Sequence, residues 1–207
     1  MKILVTGGCG FIGSHLVNKL IGLGQNVIVL DNLSTGKKEY LNPKAEFMHG
    51  DIRKIDDVKA VIKDCNTVFH LAASTDVRAD SDEIFAINSE GSQNVFSLAE
   101  KIGAKIIFTS SAAVYGETEL AKEESDCKPI SLYGESKLKA EHACPKDSFI
   151  LRIFNAYGSR GNSVINKFCN KISKKEPITV YGSGLQTRDY VYVSDVIEAL
   201  LLGFHEN

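Results

Sequence analysis

The sequence predicts an α/β fold, namely a doubly wound parallel sheet with helices on both faces. Short apolar runs alternate along the chain with longer segments of helical periodicity, which is the pattern of such a sheet. The apolar runs are rich in Ile, Val and Phe at consecutive positions, as expected when both faces of a sheet are covered. With 207 residues, the chain is long enough for one domain, or one domain with a small appendage, around a substantial core.

The elements follow in order from the start of the chain. Strands are predicted at 2–6, 26–31, 46–49, 67–71, 105–110 and 148–153. Helices are predicted at 11–22, 55–63, 84–102 and 132–143, and the glycine after Ile102 is typical of a helix end. After about Asn155 the rhythm changes. A polar loop is followed by a helix at 164–174, a short strand at 178–181, a strand at 190–193 and a helix from Asp195.

Composition excludes several classes of protein. A net charge of −2, with 43% apolar and 24% charged residues, is ordinary for a globular protein and favours neither a nucleic-acid nor a membrane partner. The five cysteines are scattered and form no CxxC pair, which predicts neither a metal site nor a disulfide framework and suits a reducing compartment. No apolar run approaches the length of a membrane span or a signal segment, so we expect a cytoplasmic protein.

A glycine-rich turn follows the first predicted strand. Gly7, Gly10 and Gly13 form a GxxGxxG variant of the Rossmann fingerprint, in which the first glycine permits the tight turn and the second lets a pyrophosphate approach the backbone. The third lets the next helix pack closely, and phosphate would lie at the positive end of that helix, near Phe11. A purely structural glycine turn is the alternative, but the strand before it and the helix after it favour a dinucleotide site.

Carboxylates end the next two strands. Asp31 ends the second strand, where a carboxylate accepts hydrogen bonds from ribose hydroxyls and repels a 2′-phosphate, so NAD is favoured over NADP. Lys37 and Lys38 follow and could soften this preference. Asp31 could also simply cap the next loop. Asp51 follows the third strand, at the sheet edge where ligands bind.

The fourth predicted strand ends in His70-Leu71-Ala72-Ala73. The two alanines are small enough to allow close contact with a cofactor at the same edge. His70 taken by itself is more simply explained as a packed histidine at a strand end than as a catalytic residue.

Tyr133 and Lys137 lie four residues apart on one face of a predicted helix. A nearby ammonium and a positively charged nicotinamide both favour the phenolate, so this tyrosine could exchange a proton with a substrate hydroxyl during hydride transfer. A YxxxK pair also occurs by chance, as an exposed pair on a surface helix. The catalytic interpretation of this pair is strengthened by Ser110 and Ser111, hydroxyl residues that end the preceding apolar strand.

The sequence resembles the extended short-chain dehydrogenase/reductase family, and within it the nucleotide-sugar epimerases of the UDP-glucose 4-epimerase type. The matching segments run in the family's order across nearly the whole chain. They are TGGCGFIG (6–13), DNLSTG (31–36), HLAA (70–73), SSAAVYG (110–116), YGESK (133–137), RIFNAYG (152–158) and QTRDYVYVSDV (186–196).

The resemblance implies a catalytic trio and a set of NAD contacts. The catalytic residues are Ser111, Tyr133 and Lys137. The residues expected to bind NAD are Gly7, Gly10, Phe11, Ile12, Gly13, Asp31, Asn32, Ser34, Gly36, Asp51, Ile52, Leu71, Ala72, Ala73, Asn88, Ser110, Tyr133 and Lys137. Asn88 is similar to the helix asparagine that supports the cofactor site in this family.

The resemblance also implies substrate contacts, a domain division and a partner. The residues expected to bind the nucleotide sugar are Ser111, Tyr133, Asn155, Val164, Thr179, Tyr181 and Arg188. Arg188 resembles the arginine that clamps the diphosphate, although without the family it could equally be a solvated loop residue. We expect an NAD-binding Rossmann domain at 1–155, a partial substrate-binding region at 156–207 that returns elements to it, and a homodimer formed through helices 84–102 and 132–143.

The implied reaction is epimerisation at C4 of a nucleotide sugar. Family members that eliminate water or decarboxylate usually carry an acidic residue after the active-site Ser or Thr, where this chain has Ala112 and Ala113. The sugar would be oxidised to a 4-keto sugar, turn over and be reduced on the opposite face, which regenerates NAD. A dehydratase or reductase of the family, and a catalytically silent NAD-binding module, are the alternatives.

Two departures from the family bear on activity. Ser159 stands where a proline usually follows Tyr-Gly, and the family's later substrate-domain residues, including a second diphosphate-binding arginine, have no counterpart in this sequence. We therefore expect either a truncated chain or a naturally short member of the family. In both cases an open pocket would weaken substrate binding.

Overall fold

The computed structural model describes residues 1–75, 80–118 and 120–205. The strands are β1 (Lys2–Thr6), β2 (Asn26–Asp31), β3 (Glu46–His49), β4 (Thr67–His70), β5 (Lys105–Ser111), β6 (Phe149–Ile153), β7 (Asn155–Tyr157) and β8 (Tyr190–Tyr192). The α-helices are α1 (Phe11–Gly22), α2 (Ile55–Ile62), α3 (Ser81–Phe85), α4 (Ser92–Lys101), α5 (Leu132–Ala143), α6 (Val164–Ser173) and α7 (Val193–His205). A π-helical turn (Ala86–Gly91) joins α3 to α4, and short 3₁₀ turns lie at Lys38–Tyr40 and Ala112–Val114.

The main sheet confirms the predicted fold class. Its six strands are all parallel, in the order β3-β2-β1-β4-β5-β6. The strand order reverses between β1 and β4, and in such sheets the crevice beyond the carboxyl ends of the strands at this point is the ligand-binding position. The glycine turn after β1 therefore lies where the fold itself places a binding site.

Both faces of the sheet are covered, which explains the consecutive apolar residues of its strands. On one face, Phe96 of α4 and Ala140 of α5 belong to the same core as Val68 of β4. On the other face, Leu16 of α1 and Leu200 of α7 pack in a second core. Helix α7 thus lies beside α1 although it is the last helix of the described chain.

The region after β6 differs from the prediction. The strand predicted at 178–181 is wrong, because this segment has no hydrogen-bonded neighbouring strand among the described residues and Tyr181 is 85% exposed. A strand that the sequence does not predict, β7, pairs in parallel with β8, with Asn155 opposite Tyr190. Three residues are too few to produce a recognisable alternation, so the pairing could not be predicted from the sequence.

The helix predicted at 84–102 is also wrong in part. The helical segment begins at Ser81 and widens into the π turn before α4. Within that turn, a Cβ on Gly91 would lie 2.8 Å from Cγ1 of Ile52, so the glycine permits a close approach to the loop after β3. Similarly, α7 begins at Val193 and not at Asp195.

Within the described ranges, the structure contains no helix that is both long enough and apolar enough to cross a membrane.

Candidate active site

The turn after β1 forms a cradle of glycine backbone. Gly7 has a φ of +72°, and a Cβ on it would lie 2.7 Å from the amide nitrogen of Ala72. A Cβ on Gly13 would overlap the carbonyl oxygen of Gly7 and lie 2.8 Å from Cα of Gly8. Helix α1 begins at Phe11, as predicted, and no side chain in the described part of the chain caps it. Its first backbone N–H groups are therefore available to an anion such as a phosphate.

Replacing Gly13 with alanine tests this cradle. We expect Gly13→Ala to destabilise the fold by about 2 kcal/mol, because the new methyl group meets fixed backbone and not a flexible side chain. Because the turn must shift, NAD affinity should fall at least tenfold. Urea unfolding and calorimetric titration with NAD measure the two effects.

The matched control is Gly22→Ala, at the other end of α1. A Cβ there would meet none of the described atoms within 4 Å. This variant should keep its NAD affinity and change stability by less than about 1 kcal/mol. Equal NAD affinities for the two variants would contradict the proposed cradle.

Asp31 holds the glycine turn to the loop after β2. Its Oδ2 accepts a hydrogen bond from the backbone N–H of Cys9 at 2.9 Å, and its Oδ1 accepts one from Leu33 at 2.8 Å. The loop-capping role considered from the sequence is therefore present. Each carboxylate oxygen can still accept a further hydrogen bond, so this contact leaves room for a ribose hydroxyl.

Asp51 is joined to the end of β2 and to Arg53. Asn32 donates to its Oδ2 at 3.1 Å, and Arg53 forms an ion pair with it at 2.6 Å. Hydrogen bonds from Arg53 are the main reason why the pKa of Asp51 falls to about 2. Asn32 and Asp51 are in contact, and buried Ile52 follows Asp51 directly. The structure thus brings together these three residues, all of which were predicted to bind the cofactor.

The two lysines after the DNLSTG segment face aromatic rings. The ammonium nitrogen of Lys37 lies 5.7 Å from the centroid of the Tyr40 ring, and that of Lys38 lies 4.8 Å from the centroid of Phe47. Both lysines therefore make cation–π contacts within the protein. The preference for NAD over NADP stays a prediction.

His70 is fully buried and hydrogen-bonded at both ring nitrogens. The Ser92 hydroxyl donates to the carbonyl oxygen of Asn88 at 2.6 Å, so it accepts from Nε2 of His70 at 2.8 Å. Nδ1 accepts from the Thr6 hydroxyl at 2.7 Å, and that oxygen in turn accepts from the N–H of Ala72. Burial lowers the pKa of His70 to about 3, so the ring is neutral. The histidine is a packed residue that links β1, β4 and α4.

Asn88 fastens the loop after β4 to α5. It lies in the π turn, where Oδ1 accepts from the N–H of Ser74 at 2.7 Å and Nδ2 donates to the Ser74 carbonyl oxygen at 2.9 Å. Nδ2 also donates to the Ser136 hydroxyl at 3.0 Å, which donates to the carbonyl oxygen of Tyr133 at 2.8 Å. Asn88 therefore supports the loop after β4 at Ser74 and the first turn of α5 together.

The structure brings Ser111 and Tyr133 together. The side chain of Ser111 is close enough to Tyr133 to lower the pKa of its phenol. A Cβ on Gly134 would lie 2.5 Å from the carbonyl oxygen of Ala113, so this glycine lets the start of α5 approach the 3₁₀ turn after Ser111. Lys137, one turn further along α5, is 2% exposed, and its ammonium nitrogen lies 4.2 Å from the centroid of the Phe108 ring.

The pKa of Tyr133 depends on its burial as well as on nearby charge. Burial raises this pKa, and the side chain of Ser111 opposes the rise only in part. Burial also lowers the pKa of Lys137 to about 7, so its charge is only partly present at neutral pH. The protein groups by themselves keep the phenol protonated, and a phenolate requires further positive charge beside it.

Ser110 is an unexplained polar group at the same strand end. It is 4% exposed, and its hydroxyl has no hydrogen-bond partner among the residues that the structure describes. A buried hydroxyl without a partner is costly, so a bound group that supplies one would relieve this cost. This observation fits its predicted place among the cofactor contacts.

The predicted substrate residues after β6 are all exposed. They are Asn155, Val164, Thr179, Tyr181 and Arg188. Asn155 donates through Nδ2 to the carbonyl oxygen of Asp189 at 2.9 Å, and Arg188 donates to the carbonyl oxygen of Thr187 at 2.7 Å. Their substrate roles stay predictions.

Sequence reasoning missed three supporting residues, namely Thr6, Ser92 and Ser136. Ser136 lies inside the YGESK segment, which could have indicated it. Thr6 and Ser92 have no local signal, because their partner His70 lies 64 and 22 residues away along the chain.

Residues 3–206 match the model of the NAD dependent epimerase/dehydratase family. Among curated proteins, the chain is 42% identical over 223 residues to the putative UDP-glucose 4-epimerase of Methanocaldococcus jannaschii, in a match that covers 98% of this chain and 73% of that protein. It is 37% identical to UDP-glucuronic acid decarboxylase 1 of Arabidopsis thaliana, and there the match covers 97% of this chain and 51% of that protein. The chain thus spans about half the length of the plant protein.

Solved structures agree with the fold. The UDP-glucose 4-epimerase of Thermotoga maritima with UDP-glucose superposes with a TM-score of 0.93 at 36% identity, over 100% of this chain and 74% of that one. The UDP-glucose 4-epimerase of Thermus thermophilus in complex with NAD superposes with a TM-score of 0.90 at 33% identity, over 100% and 75% of the two chains.

Proposed function

This chain belongs to the NAD dependent epimerase/dehydratase family, and from that premise we propose that it is a nucleotide-sugar 4-epimerase of the UDP-glucose/UDP-galactose type. The proposal depends on one observation. The side chain of Ser111 acts on Tyr133, while the turn that follows Ser111 consists of the apolar residues Ala112, Ala113 and Val114. This arrangement can move a proton and accompany a hydride transfer, but the turn supplies no further acid or base.

The residues fit NAD as the cofactor, which when bound supplies the acceptor that takes and returns the hydride. The glycine cradle and the uncapped start of α1 would hold its pyrophosphate, and Asp31 would accept hydrogen bonds from a ribose hydroxyl. Ser110 would gain a partner for its buried hydroxyl. Asn88 holds the loop after β4 at Ser74 beside this site.

Tyr133 moves the proton at the sugar O4. It holds its proton in the protein by itself because burial raises its pKa, and the positive charge that oxidised NAD would supply beside it would favour loss of that proton to water. The phenolate then takes the proton of the sugar 4-hydroxyl as C4 is oxidised, and returns it when the 4-keto sugar is reduced on its other face. Ser111 hydrogen-bonds to the reacting oxygen throughout.

The nucleotide would be bound by the region after β6. We assign the diphosphate to Arg188 and the nucleotide to Asn155, Val164, Thr179 and Tyr181. Because a diphosphate held at one point leaves the sugar ring free to rotate, the same site can present both faces of the 4-keto sugar.

A decarboxylase is the second candidate, favoured by the 37% identity to the Arabidopsis UDP-glucuronic acid decarboxylase. The methyl groups of Ala112 and Ala113 weigh against it, since loss of a carboxyl group or of water calls for an additional acid or base at this turn.

The test is a substrate comparison with the chain as it is. Incubation with NAD and UDP-glucose should yield UDP-galactose, and the reverse reaction should reach the same equilibrium mixture, followed by NMR of the sugar anomeric protons. Release of CO₂ from UDP-glucuronate would replace the proposal with the decarboxylase. Binding of both NAD and UDP without any turnover would indicate a catalytically silent module.

The wider expectations also belong to this proposal. They are the domain division between 155 and 156, a homodimer through helices 84–102 and 132–143, and a cytoplasmic location. All five cysteines, each within the described residues, are free, which supports a reducing compartment.

A further inference from the structure

Helix α5 carries a third ionisable side chain in line with the proposed catalytic pair. Tyr133, Lys137 and Glu141 follow each other at intervals of four residues, so they lie one above another on one helical face. The side chain of Glu141 is only 6% exposed. A buried carboxylate one turn from a catalytic lysine acts directly on the charge of that lysine.

Arg152 of β6 neutralises this carboxylate. Its Nη2 lies 2.8 Å from Oε2 of Glu141 and its Nε lies 3.0 Å from Oε1, which is the forked geometry of a strong arginine–carboxylate pair. The guanidinium is fixed further by a hydrogen bond to the carbonyl oxygen of Glu123 and by the ring of Tyr115, 4.8 Å away. The ion pair is therefore held in one position relative to α5.

The groups around Lys137 leave Glu141 as the charge that matters in the described structure. His70 on β4 is neutral because burial lowers its pKa to about 3, and β5 contributes the uncharged ring of Phe108. Burial raises the pKa of the Cys144 thiol, which keeps it neutral. The acidic residues of α3 and the π turn are exposed to solvent; they are Asp82, Glu83 and Glu90.

We propose that Glu141 and Arg152 are positioning residues whose ion pair sets the negative charge felt by Lys137, and thereby the charge that the lysine presents beside Tyr133. This inference rests on the proposed function, because it takes Lys137 as a catalytic residue. Glu141 raises the pKa of Lys137 against the effect of burial. Arg152 limits that rise, since it sits on the same carboxylate.

The test titrates Lys137 directly, without NAD or sugar. The chain is labelled with ¹³C at lysine Cε, and Lys137→Met identifies the resonance. Arg152→Met should raise the pKa of Lys137 by about one pH unit, because the carboxylate of Glu141 is left uncompensated. Glu141→Gln should lower it by a similar amount, because the carboxylate is lost while the charge of Arg152 remains.

Two further variants act as controls. Arg152→Lys keeps the charge and should titrate close to the wild type, and the double variant Glu141→Gln/Arg152→Met should return towards it, since neither charge remains. Far-UV circular dichroism over the same pH range confirms that each variant is folded. If Arg152→Met does not fold, a lowered pKa of Lys137 in Glu141→Gln with an unchanged one in Arg152→Lys supports the inference, and an unchanged pKa in Glu141→Gln overturns it.

Opposite displacements of the Lys137 titration support the inference, since a pair that only stabilises the fold would not move it in opposite directions. Displacements in the same direction, or none, would overturn it. Assays of turnover with UDP-glucose separate this result from the proposed function. Displaced titrations in a chain that turns over no nucleotide sugar would leave the ion-pair effect standing and remove the proposed reaction.

Discussion

Replacing Tyr133 with phenylalanine is expected to lower kcat for UDP-glucose epimerisation by about 10²- to 10⁴-fold. The substitution removes the hydroxyl on which Ser111 acts and that would exchange a proton with the sugar O4. The ring remains, so the packing of α5 against the turn at Ala112–Val114 should be preserved. The contact between the Tyr133 hydroxyl and the sugar O4 would be strongest in the transition state, where O4 changes its charge. Loss of this contact should therefore lower kcat much more than it changes KM.

The measurements separate chemistry from binding. Steady-state rates give kcat and KM, and calorimetric titration gives the affinity for NAD, which should change little. Tyr192→Phe is the matched control, because it removes a tyrosine hydroxyl from β8, where the residue is 44% exposed. It should keep wild-type rates. If Tyr133→Phe retained more than about a tenth of the wild-type kcat, the proton-transfer role would have to be abandoned.

Acid should destabilise the fold through His70, by about 4 kcal/mol between pH 7 and pH 3. The pKa of His70 is about 3 in the folded chain and 6.5 in its reference state, so between these values the unfolded chain binds the additional proton. Stability is therefore complete above pH 6.5 and is lost as the pH falls towards 3. Protonation at Nδ1 would also break the hydrogen bond from Thr6.

Urea unfolding at a series of pH values from 6.5 to 4 measures this slope. The shifted pKa values of Asp51 and Lys137 contribute little between pH 6.5 and pH 4. Asp51 has a pKa of about 2 in the folded chain, and Lys137 is protonated in both the folded and the unfolded chain below about pH 7. His70→Gln should be less stable at pH 7 but should show a much flatter dependence. His142→Gln, which replaces an exposed histidine of α5, should keep the wild-type slope. An unchanged slope in His70→Gln would show that the acid sensitivity arises elsewhere.

The part of the fold that carries the cofactor site was predictable because its signals are local. Each strand of the main sheet is a short apolar run, and the glycines at 7, 10 and 13 follow the first of them directly. The region after β6 was less predictable. The paired strands β7 and β8 have only three residues each. The apolar residues at 178–181 suggest a strand from the sequence, but the structure has no neighbouring strand to which they are hydrogen-bonded among the described residues.

The candidate site likewise combines residues that local motifs predict with residues that only the fold brings together. Ser111, Tyr133 and Lys137 belong to short motifs, whereas the groups that support them come from elements far apart along the chain. Asn88 and Ser136 are 48 residues apart, and Thr6 and His70 are 64 residues apart. The rise that burial causes in the pKa of Tyr133 could not be predicted from the sequence, because burial depends on all the elements around a side chain.

The sequence by itself determined the parallel sheet and the glycine turn after β1, because periodicity and glycine spacing act over a few neighbouring positions, and its resemblance to the family supplied the proposed catalytic trio. Only the tertiary structure decided which charges reach those residues. Burial of Tyr133, Lys137 and His70, and the pairing of Glu141 with Arg152, arise where separate helices and strands exclude water, and no local pattern encodes that exclusion.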